Sequence, residues 1–148
     1  MTFIDTLKKE HGTIKDLFRK VQSEAGRKTR PFEQHWTKLC SELMGHMEGE
    51  EKTIYPALMD TDAKELALSA IEEHSAVKMV INQLCDVSYD DEHWKPKLKL
   101  AKDLVEHHIS EEEGEILPKA VKLFDAKQLE QFHKEFTGIR KETMAIYR

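Results

Sequence analysis

The stretch HISEEEGEILP, residues 108–118, has a near copy earlier in the chain, HMEGEEKTIYP at residues 46–56. When the earlier copy is shifted by 62 residues, the first His, the Glu four positions later and the closing Pro coincide. The repeat extends further back, since Glu10 and His11 match Glu73 and His74 at a shift of 63. The chain therefore contains two copies of one unit: a single His, followed about 35 residues later by a His-x-x-x-Glu motif. Such internal repeats indicate how a fold is assembled.

Length and composition predict a helix-rich globular protein. The 148 residues are enough for one domain with its own core, and only six are Gly and four Pro. A net charge of −5 without a long Lys/Arg run argues against nucleic acid as a partner. The sequence has no 18-residue apolar run and no start of the signal-peptide type, so we expect no membrane span and a cytoplasmic location.

The two cysteines support the same location. Cys40 and Cys85 lie in unrelated sequence contexts and form no Cys-x-x-Cys motif. They are therefore predicted to be reduced thiols of a cytosolic protein rather than a disulfide or a zinc site. Cys85 is expected on the inward face of its helix, as a small buried apolar side chain.

Apolar residues that recur every three or four positions predict five helices. They span residues 2 or 5 to 24, 31–58, 63–86, a start within 91–96 to about 118, and 125–147. Pro56 should loosen or kink the last turn of the second helix. With short connectors and no strand pattern, the sequence predicts an all-α fold. We expect a single domain, residues 1–148. In it, an antiparallel up-down-up-down four-helix bundle at about residues 2–120 carries an additional C-terminal helix at about residues 125–147.

Six side chains with metal-binding groups fall on the inward faces of the four bundle helices. Residues four apart on a helix point the same way, so each His-x-x-x-Glu motif presents an imidazole and a carboxylate to the interior. A neutral imidazole binds one cation, whereas the two oxygens of a carboxylate can bridge two. The pattern predicts a site for two adjacent metal ions. Its candidate ligands are His11, His46, Glu50, His74, His108 and Glu112.

Nitrogen and oxygen donors without thiolate suit iron or manganese, and zinc is also compatible. A metal-free core is disfavoured, because four imidazoles and two carboxylates without partners would cost several kcal/mol per group. A ferritin-like carboxylate site is disfavoured too, since it needs Glu-x-x-His pairs on two helices. The sequence has one such pair, formed by Glu130 and His133 on the fifth helix.

The pattern H…HxxxE…H…HxxxE, with its EEH context and its IYP and ILP endings, resembles the hemerythrin-like (HHE cation-binding) family, bacterial type. The resemblance covers about residues 5–120. It implies that the six candidate residues bind two iron ions in a non-haem centre with an oxo or hydroxo bridge. It also implies a small-molecule ligand such as dioxygen, peroxide or nitric oxide.

Two positions depart from the oxygen-carrying hemerythrins of invertebrates. Those proteins have a second His four residues after the third-helix His, where this chain has Lys78. One iron would then have fewer imidazoles and an additional open position. Those proteins also place the fourth-helix carboxylate five residues after its His, so Glu112 and Glu113 are both available, and the register with Glu50 favours Glu112.

Other polar residues near the candidate ligands are expected outside the site. Glu10 and Glu73 should make surface or interhelical contacts, and Lys78 should pair with an acidic residue such as Glu111 or Glu115. Tyr55 should face away from the site, because it comes nine residues after the second-helix histidine.

We expect a metal- and oxygen-binding protein rather than a conventional enzyme, since no Ser/His/Asp set or phosphate-binding loop is apparent. The leading hypothesis is a protein that binds or senses dioxygen or a related small oxidant. The alternative is a di-iron enzyme for iron–sulfur cluster repair or for detoxification of peroxide or nitric oxide. The open position created by Lys78 gives that alternative some support.

Overall fold

The computed structural model describes residues 1–147, and all regular secondary structure in that range is helical. Four long helices form the bundle: α1 (Phe3–Glu24), α2 (Arg30–Lys52), α4 (Lys64–Asp86) and α5 (Trp94–Glu111). A short helix α3 (Ile54–Leu58) follows α2, and a π-helical turn (Glu112–Ile116) joins α5 to α6 (Leu117–Leu123). Helix α7 (Ala126–Ile146) ends the described chain. The predicted all-α fold class is confirmed.

Side-chain caps define where three helices begin. Thr2 Oγ1 accepts a hydrogen bond from the Asp5 backbone N–H at 3.2 Å, and Asp5 Oδ2 accepts one from the Thr2 backbone N–H at 3.1 Å. Asp125 and Gln128 form the same capping box at the start of α7. Thr29 caps α2 ahead of a proline in its first turn. Each cap of this type stabilises a helix by about 1 kcal/mol.

Helix α2 ends at Lys52, six residues earlier than predicted. Thr53 leaves the helical conformation (φ −125°, ψ −85°), and its hydroxyl donates a hydrogen bond to the Gly49 carbonyl at 2.7 Å. The cause is Pro56, which has no N–H for the carbonyl of Lys52 and whose ring crowds that carbonyl. The chain then resumes as α3, so the expected kink is a complete break.

The fourth predicted helix continues five residues beyond Pro118, because a π-helical turn precedes the proline. In this turn the Leu117 N–H donates to the Glu112 carbonyl five residues back. The wider turn accommodates the proline without ending the helix. Turns of this kind occur frequently at functional sites, and this one begins at Glu112, one of the predicted ligands.

Two apolar clusters fill the bundle, one at each end. The first is centred on aromatic residues such as Trp36 and Trp94, and the second includes Phe3, Tyr55 and Phe136. Each fully buried large apolar side chain contributes about 1.5–3 kcal/mol. The polar side chains of the bundle interior lie in a layer between the two clusters.

Helix α7 packs closely against α2. A Cβ atom at Gly45 would lie 2.7 Å from Met144 Cγ, and one at Gly49 would lie 2.5 Å from Phe136 Cδ2. The two glycines therefore allow the two helices to approach each other. Among residues 1–147, no helix is both long enough and apolar enough to span a membrane.

Candidate metal centre

The six side chains predicted as ligands lie together in the polar layer, and none is more than 6% exposed. Each of the four bundle helices contributes one imidazole, and the two carboxylates come from α2 and from the start of the π-helical turn. The donor atoms form two groups of four, and within each group they lie within 4.8 Å of one another. The first group is His11, His46, Glu50 and Glu112, and the second is Glu50, His74, His108 and Glu112. Both carboxylates are thus shared.

The distances within the groups match those between donors that share one ion. His11 Nε2 lies 3.2 Å from Glu112 Oε1, and His108 Nε2 lies 3.2 Å from Glu112 Oε2. His46 Nε2 lies 3.2 Å from Glu50 Oε1. Two donors that bind one ion at about 2.0–2.2 Å lie roughly 3.0–3.5 Å apart. One oxygen of Glu112 faces each group, as expected for a bridging carboxylate.

A second layer of carboxylates holds the four imidazoles in place. Each imidazole Nδ1 hydrogen-bonds to a glutamate, at 2.7–2.9 Å. The pairs are His11 with Glu113, His46 with Glu10, His74 with Glu51, and His108 with Glu73. Such partners fix the tautomer that carries the proton on Nδ1 and leave a lone pair on Nε2. All four Nε2 atoms therefore present lone pairs to the centre.

These four contacts form a closed ring around the bundle. Each glutamate comes from a segment next to the helix of its histidine. A glutamate of α1 binds the histidine of α2, one of α2 binds that of α4, one of α4 binds that of α5, and one of the π-helical turn binds that of α1. The sequence predicted only surface or interhelical contacts for Glu10 and Glu73. A signal was present, since each of the four glutamates directly precedes or follows a predicted ligand.

Glu112 and Glu113, the two carboxylates available on this segment, have different positions. Glu112 is fully buried between the two groups, whereas Glu113 is half-buried and reaches His11 from outside. Burial opposes ionisation of Glu112, but the neighbouring Glu50, His108 and His11 side chains outweigh burial and hold the pKa of its carboxyl well below the ordinary value. Of these two residues, Glu112 is therefore the one whose carboxylate lies in the centre, together with that of Glu50.

Four buried atoms of the centre have no hydrogen-bond partner: His11 Nε2, His46 Nε2, Glu50 Oε2 and Glu112 Oε1. With the proton on Nδ1, each Nε2 lone pair faces a carboxylate oxygen, so acceptor meets acceptor. A buried polar atom left in this state costs about 1–3 kcal/mol. A divalent cation between the atoms would make each of these contacts attractive. The residues present therefore fit a metal ion in each group.

Protons compete with cations for the same positions. Burial opposes charge on His108, but hydrogen bonds and negative charge from Glu112, with Glu50 and Glu73, outweigh it and raise the pKa of this imidazole to about 9. Burial is likewise outweighed at His46, where Glu50 and Glu10 raise the pKa well above its ordinary value. The centre thus attracts positive charge strongly.

Tyr55 lies inside the centre, and the prediction that it faces away is wrong. Its hydroxyl donates to Glu50 Oε1 at 3.2 Å and to Glu112 Oε2, and it lies 3.4 Å from Nε2 of both His74 and His108. Burial, together with the negative charges of the two carboxylates, raises the pKa of the phenol well above its ordinary value. Tyr55 is therefore a neutral donor beside the second group. It reaches the centre because the break at Thr53 reorients α3.

Lys78 pairs with different residues from those predicted. Its Nζ lies 2.8 Å from Glu51 Oε2 and 3.8 Å from Glu48 Oε2, rather than beside Glu111 or Glu115. Burial opposes ionisation of Glu51, but hydrogen bonds from His74 and Lys78 keep its pKa below the ordinary value. Lys78 therefore acts on the centre through Glu51.

Helix α7 also contacts the centre, which the sequence did not predict. Arg140 Nε lies 3.1 Å from Glu10 Oε1, the oxygen that accepts from His46. Arg140 also binds Glu42, at 2.5 Å from Nη2 to Oε2. The ring of Phe136 meets the His46 imidazole edge-on, with centroids 5.8 Å apart. The C-terminal helix thus supports one histidine of the first group.

A cavity of about 10 Å³ adjoins the centre. It is lined by the four histidines and by the apolar residues Ile14, Leu43, Met47, Val77, Val105 and Ile109. A cavity needs roughly this volume to hold a single water molecule, so only a very small molecule fits without movement of side chains.

The cysteines lie away from the centre. Cys40 is buried in the first apolar cluster, and Cys85 is exposed near the end of α4. The prediction of a buried Cys85 is therefore wrong. Both cysteines are free thiols.

An all-α bundle with two carboxylate-sharing His/Glu groups in its interior defines a helical cation-binding protein. The family model for the hemerythrin HHE cation binding domain matches residues 2–120. The chain belongs to this family, and the resemblance inferred from its repeated motif is confirmed.

Two further proteins are similar to this chain. A crystal structure of a hemerythrin HHE cation binding domain-containing protein, the Rv2633c homolog from Mycobacterium kansasii, superimposes with a TM-score of 0.83. It covers 98% of this chain and 88% of the other at 24% identity, so the likeness is one of fold. A DNA nickase from Nostoc sp. (strain PCC 7120 / SAG 25.82 / UTEX 2576) is 21% identical over 140 residues. That match includes 95% of this chain but 39% of the nickase.

Proposed function

We propose that the protein holds two iron ions in this centre and binds or senses dioxygen or a related small oxidant there. The proposed ligands are the six central residues: His11, His46, Glu50, His74, His108 and Glu112. The observation that carries the proposal is the pair of four-donor groups that share both carboxylates and leave four buried atoms without partners. Manganese and zinc suit the same donors.

The donors suit iron, because they are neutral imidazoles and carboxylates with no thiolate. The small cavity with its apolar walls supports a compact ligand such as dioxygen, peroxide or nitric oxide.

The second group is the proposed place where that ligand binds. Lys78 occupies the position where an additional imidazole is found in the invertebrate oxygen carriers, and it binds Glu51 instead. The Tyr55 hydroxyl stands 3.4 Å from both imidazole Nε2 atoms of this group. Rotation of the hydroxyl away from Glu50 and Glu112 would direct its single proton to a small ligand there.

Tyr55 also supports a second candidate, an enzyme that decomposes peroxide or nitric oxide. A neutral phenol beside the metal-binding atoms supplies a proton donor that simple reversible binding does not require. Repair of iron–sulfur clusters has no comparable support among the contacts of residues 1–147.

We also propose that the protein acts in the cytoplasm on a small molecule and without nucleic acid. The net charge of −5 and the two free thiols support this. The nickase activity named for the Nostoc relative belongs to a protein that this chain matches over 39% of its length.

The test begins with element analysis of protein purified from its own host, for which we expect two iron ions per chain. Anaerobically reduced protein should then develop a new ligand-to-metal charge-transfer absorption band on exposure to air. His74→Ala and Glu50→Ala should lower the metal content sharply while circular dichroism remains helical. Full metal retention in both variants would refute the ligand set, and an unchanged spectrum with two irons present would refute oxygen binding.

Turnover separates the two candidates. Peroxide or nitric oxide is supplied in large excess over the protein, and consumption is followed over time. Consumption of only one equivalent of peroxide or nitric oxide per centre would support binding or sensing, whereas sustained consumption would support an enzyme. Tyr55→Phe should slow sustained consumption, and Tyr89→Phe, which changes a tyrosine packed against Phe32 and Trp94, serves as the matched control.

A further inference from the structure

A third His-x-x-x-Glu motif lies one residue ahead of the motif that supplies His108 and Glu112 to the centre. It consists of His107 and Glu111, and their side chains are 65% and 42% exposed. His107 Nε2 lies 3.1 Å from Glu111 Oε1. Because residues four apart share one face of a helix, α5 presents this second imidazole and carboxylate side by side to solvent.

Helix α4 adds a third donor to the motif. Glu73 Oε2 lies 3.7 Å from His107 Nε2, while Glu73 Oε1 accepts a hydrogen bond from His108 Nδ1 at 2.8 Å. Donor atoms of Glu73, His107 and Glu111, one from each, lie within 4.8 Å of one another. Donors that bind one ion at about 2.0–2.2 Å lie roughly 3.0–3.5 Å apart. These three residues, the outer group, therefore need only a slight contraction to share an ion, which exposed side chains allow.

In the first copy of the repeat, the corresponding face is covered by α7. Gly45 and Gly49 lie there, and they allow α7 to approach α2. Arg140 of α7 places its Nε 3.1 Å from Oε1 of Glu10, the glutamate that supports the imidazole of α2. The supporting glutamate of the first copy thus has a positive charge beside it.

In the second copy, this face has a different composition. A shift of 63 residues places Glu73 at the position of the supporting glutamate, and a shift of 62 places His107 and Glu111 at the positions of the two glycines. These larger side chains prevent a helix from approaching as closely as α7 does in the first copy. Among residues 1–147, neither Glu73 nor Glu111 pairs with a Lys or Arg. A small cation is therefore the partner that fits this face.

We propose that the outer group binds one divalent transition-metal cation, through Glu73 Oε2, His107 Nε2 and a carboxylate oxygen of Glu111. Imidazole and carboxylate donors without thiolate suit Zn²⁺, Mn²⁺ or Fe²⁺, and three protein donors leave a position for water. The ion takes the place that the Arg140 guanidinium has beside the supporting glutamate of the first copy. The outer group contains none of the six central ligands, so the proposal does not depend on iron in the centre.

Zinc binding to the full-length protein tests the proposal. Chelator-treated protein is dialysed against increasing concentrations of zinc, and bound zinc is measured per chain. We expect the outer ion to bind after those of the centre, because the centre offers four donors to each ion and the outer group offers three. In nitrogen NMR of the imidazoles, this last ion should shift the Nε2 resonance of His107. The resonance of His93, an exposed histidine that pairs with Glu92 alone, should not change.

Matched variants identify the donors. Because each removes a direct donor, His107→Ala and Glu111→Gln should weaken binding of the last ion by at least about tenfold and leave the central ions in place. Glu106→Gln removes the same charge from α5 at a side chain that is also 42% exposed. This variant and His93→Ala should bind the last ion as the unmodified chain does.

A zinc-binding curve of Glu111→Gln that coincides with that of Glu106→Gln would overturn the proposal. So would an NMR shift, on binding of the last ion, that is confined to histidines other than His107, and that result needs no variant. The comparison of the two variants remains valid if the centre binds fewer ions than proposed, because it measures only the ion by which they differ. Failure of the di-iron proposal would instead lower the number of tightly bound ions equally in every protein.

Discussion

Removal of the metal should make the stability of the protein fall as the pH rises. In the metal-free fold the pKa of His108 is raised to about 9, because Glu112, Glu50 and Glu73 surround the imidazole. A histidine in an unfolded chain has a pKa of about 6.5. The proton on His108 therefore stabilises the metal-free fold fully below about pH 6.5, and this contribution is lost as the pH rises through 9.

The expected magnitude follows from the difference of about 2.5 pKa units, which corresponds to about 3 kcal/mol from His108 alone. His46 has a raised pKa as well and changes stability in the same direction. A bound cation displaces the proton, so the stabilisation provided by metal should grow by about 3 kcal/mol between pH 6.5 and 9. For a chain of this length, the gap between the unfolding temperatures of metal-loaded and metal-free protein should therefore widen by roughly 6–12 °C over this pH range.

The assay is denaturant unfolding of chelator-treated and zinc-loaded protein in parallel at several pH values. Only the difference between the two free energies of unfolding is used, because groups outside the centre, including Cys85, then cancel. The His35→Gln variant is the matched control, since His35 pairs with Glu24 outside the centre. In this variant, the difference in free energy of unfolding between zinc-loaded and chelator-treated protein should change with pH as it does in the unmodified chain. A difference that stays constant within about 1 kcal/mol from pH 6.5 to 9 would refute the argument.

Two further predictions use matched pairs of residues. Glu73→Gln should lower metal affinity by about 10–100-fold, measured by chelator competition, because it weakens the carboxylate that orients a ligand imidazole. The neighbouring exposed Glu72→Gln should have no effect, and equal losses in both would contradict the proposed role. Gly49→Ala should destabilise the fold by about 1–3 kcal/mol, because its Cβ would lie 2.5 Å from Phe136 Cδ2. Gly12→Ala, with open space around its Cβ, should instead stabilise α1 by up to about 1 kcal/mol in urea unfolding. If the stability of the Gly49→Ala protein were unchanged, that result would argue against the close packing of α7.

The helices and the gathering of the six central side chains followed from the sequence because both depend on helical periodicity. His46 and Glu50 are four residues apart on one helix, and that spacing alone places their side chains on one face. The same holds for His108 and Glu112. Repetition of the motif then identified a second pair of helices with the same inward face, and short connectors brought the faces together.

The remaining features depend on how separate helices are aligned, which periodicity does not report. Tyr55 was assigned to the wrong face because the break at Thr53 interrupts the helix on which the assignment relied. Arg140 on α7 contacts Glu10 on α1 and carries no sequence motif. In each case the deciding quantity is an interhelical distance.

The closed ring of histidine–glutamate contacts has a consequence for how the chain selects its topology. Every imidazole takes its supporting carboxylate from an adjacent helix, so the four contacts form together only when the helices surround the axis in one cyclic order. A bundle of the same helices in another order would leave buried imidazoles and carboxylates unpaired, at about 1–3 kcal/mol for each. Apolar faces alone distinguish poorly between such arrangements. The polar layer therefore gives the bundle its specificity, and correct assembly of the helices and construction of the centre become one event.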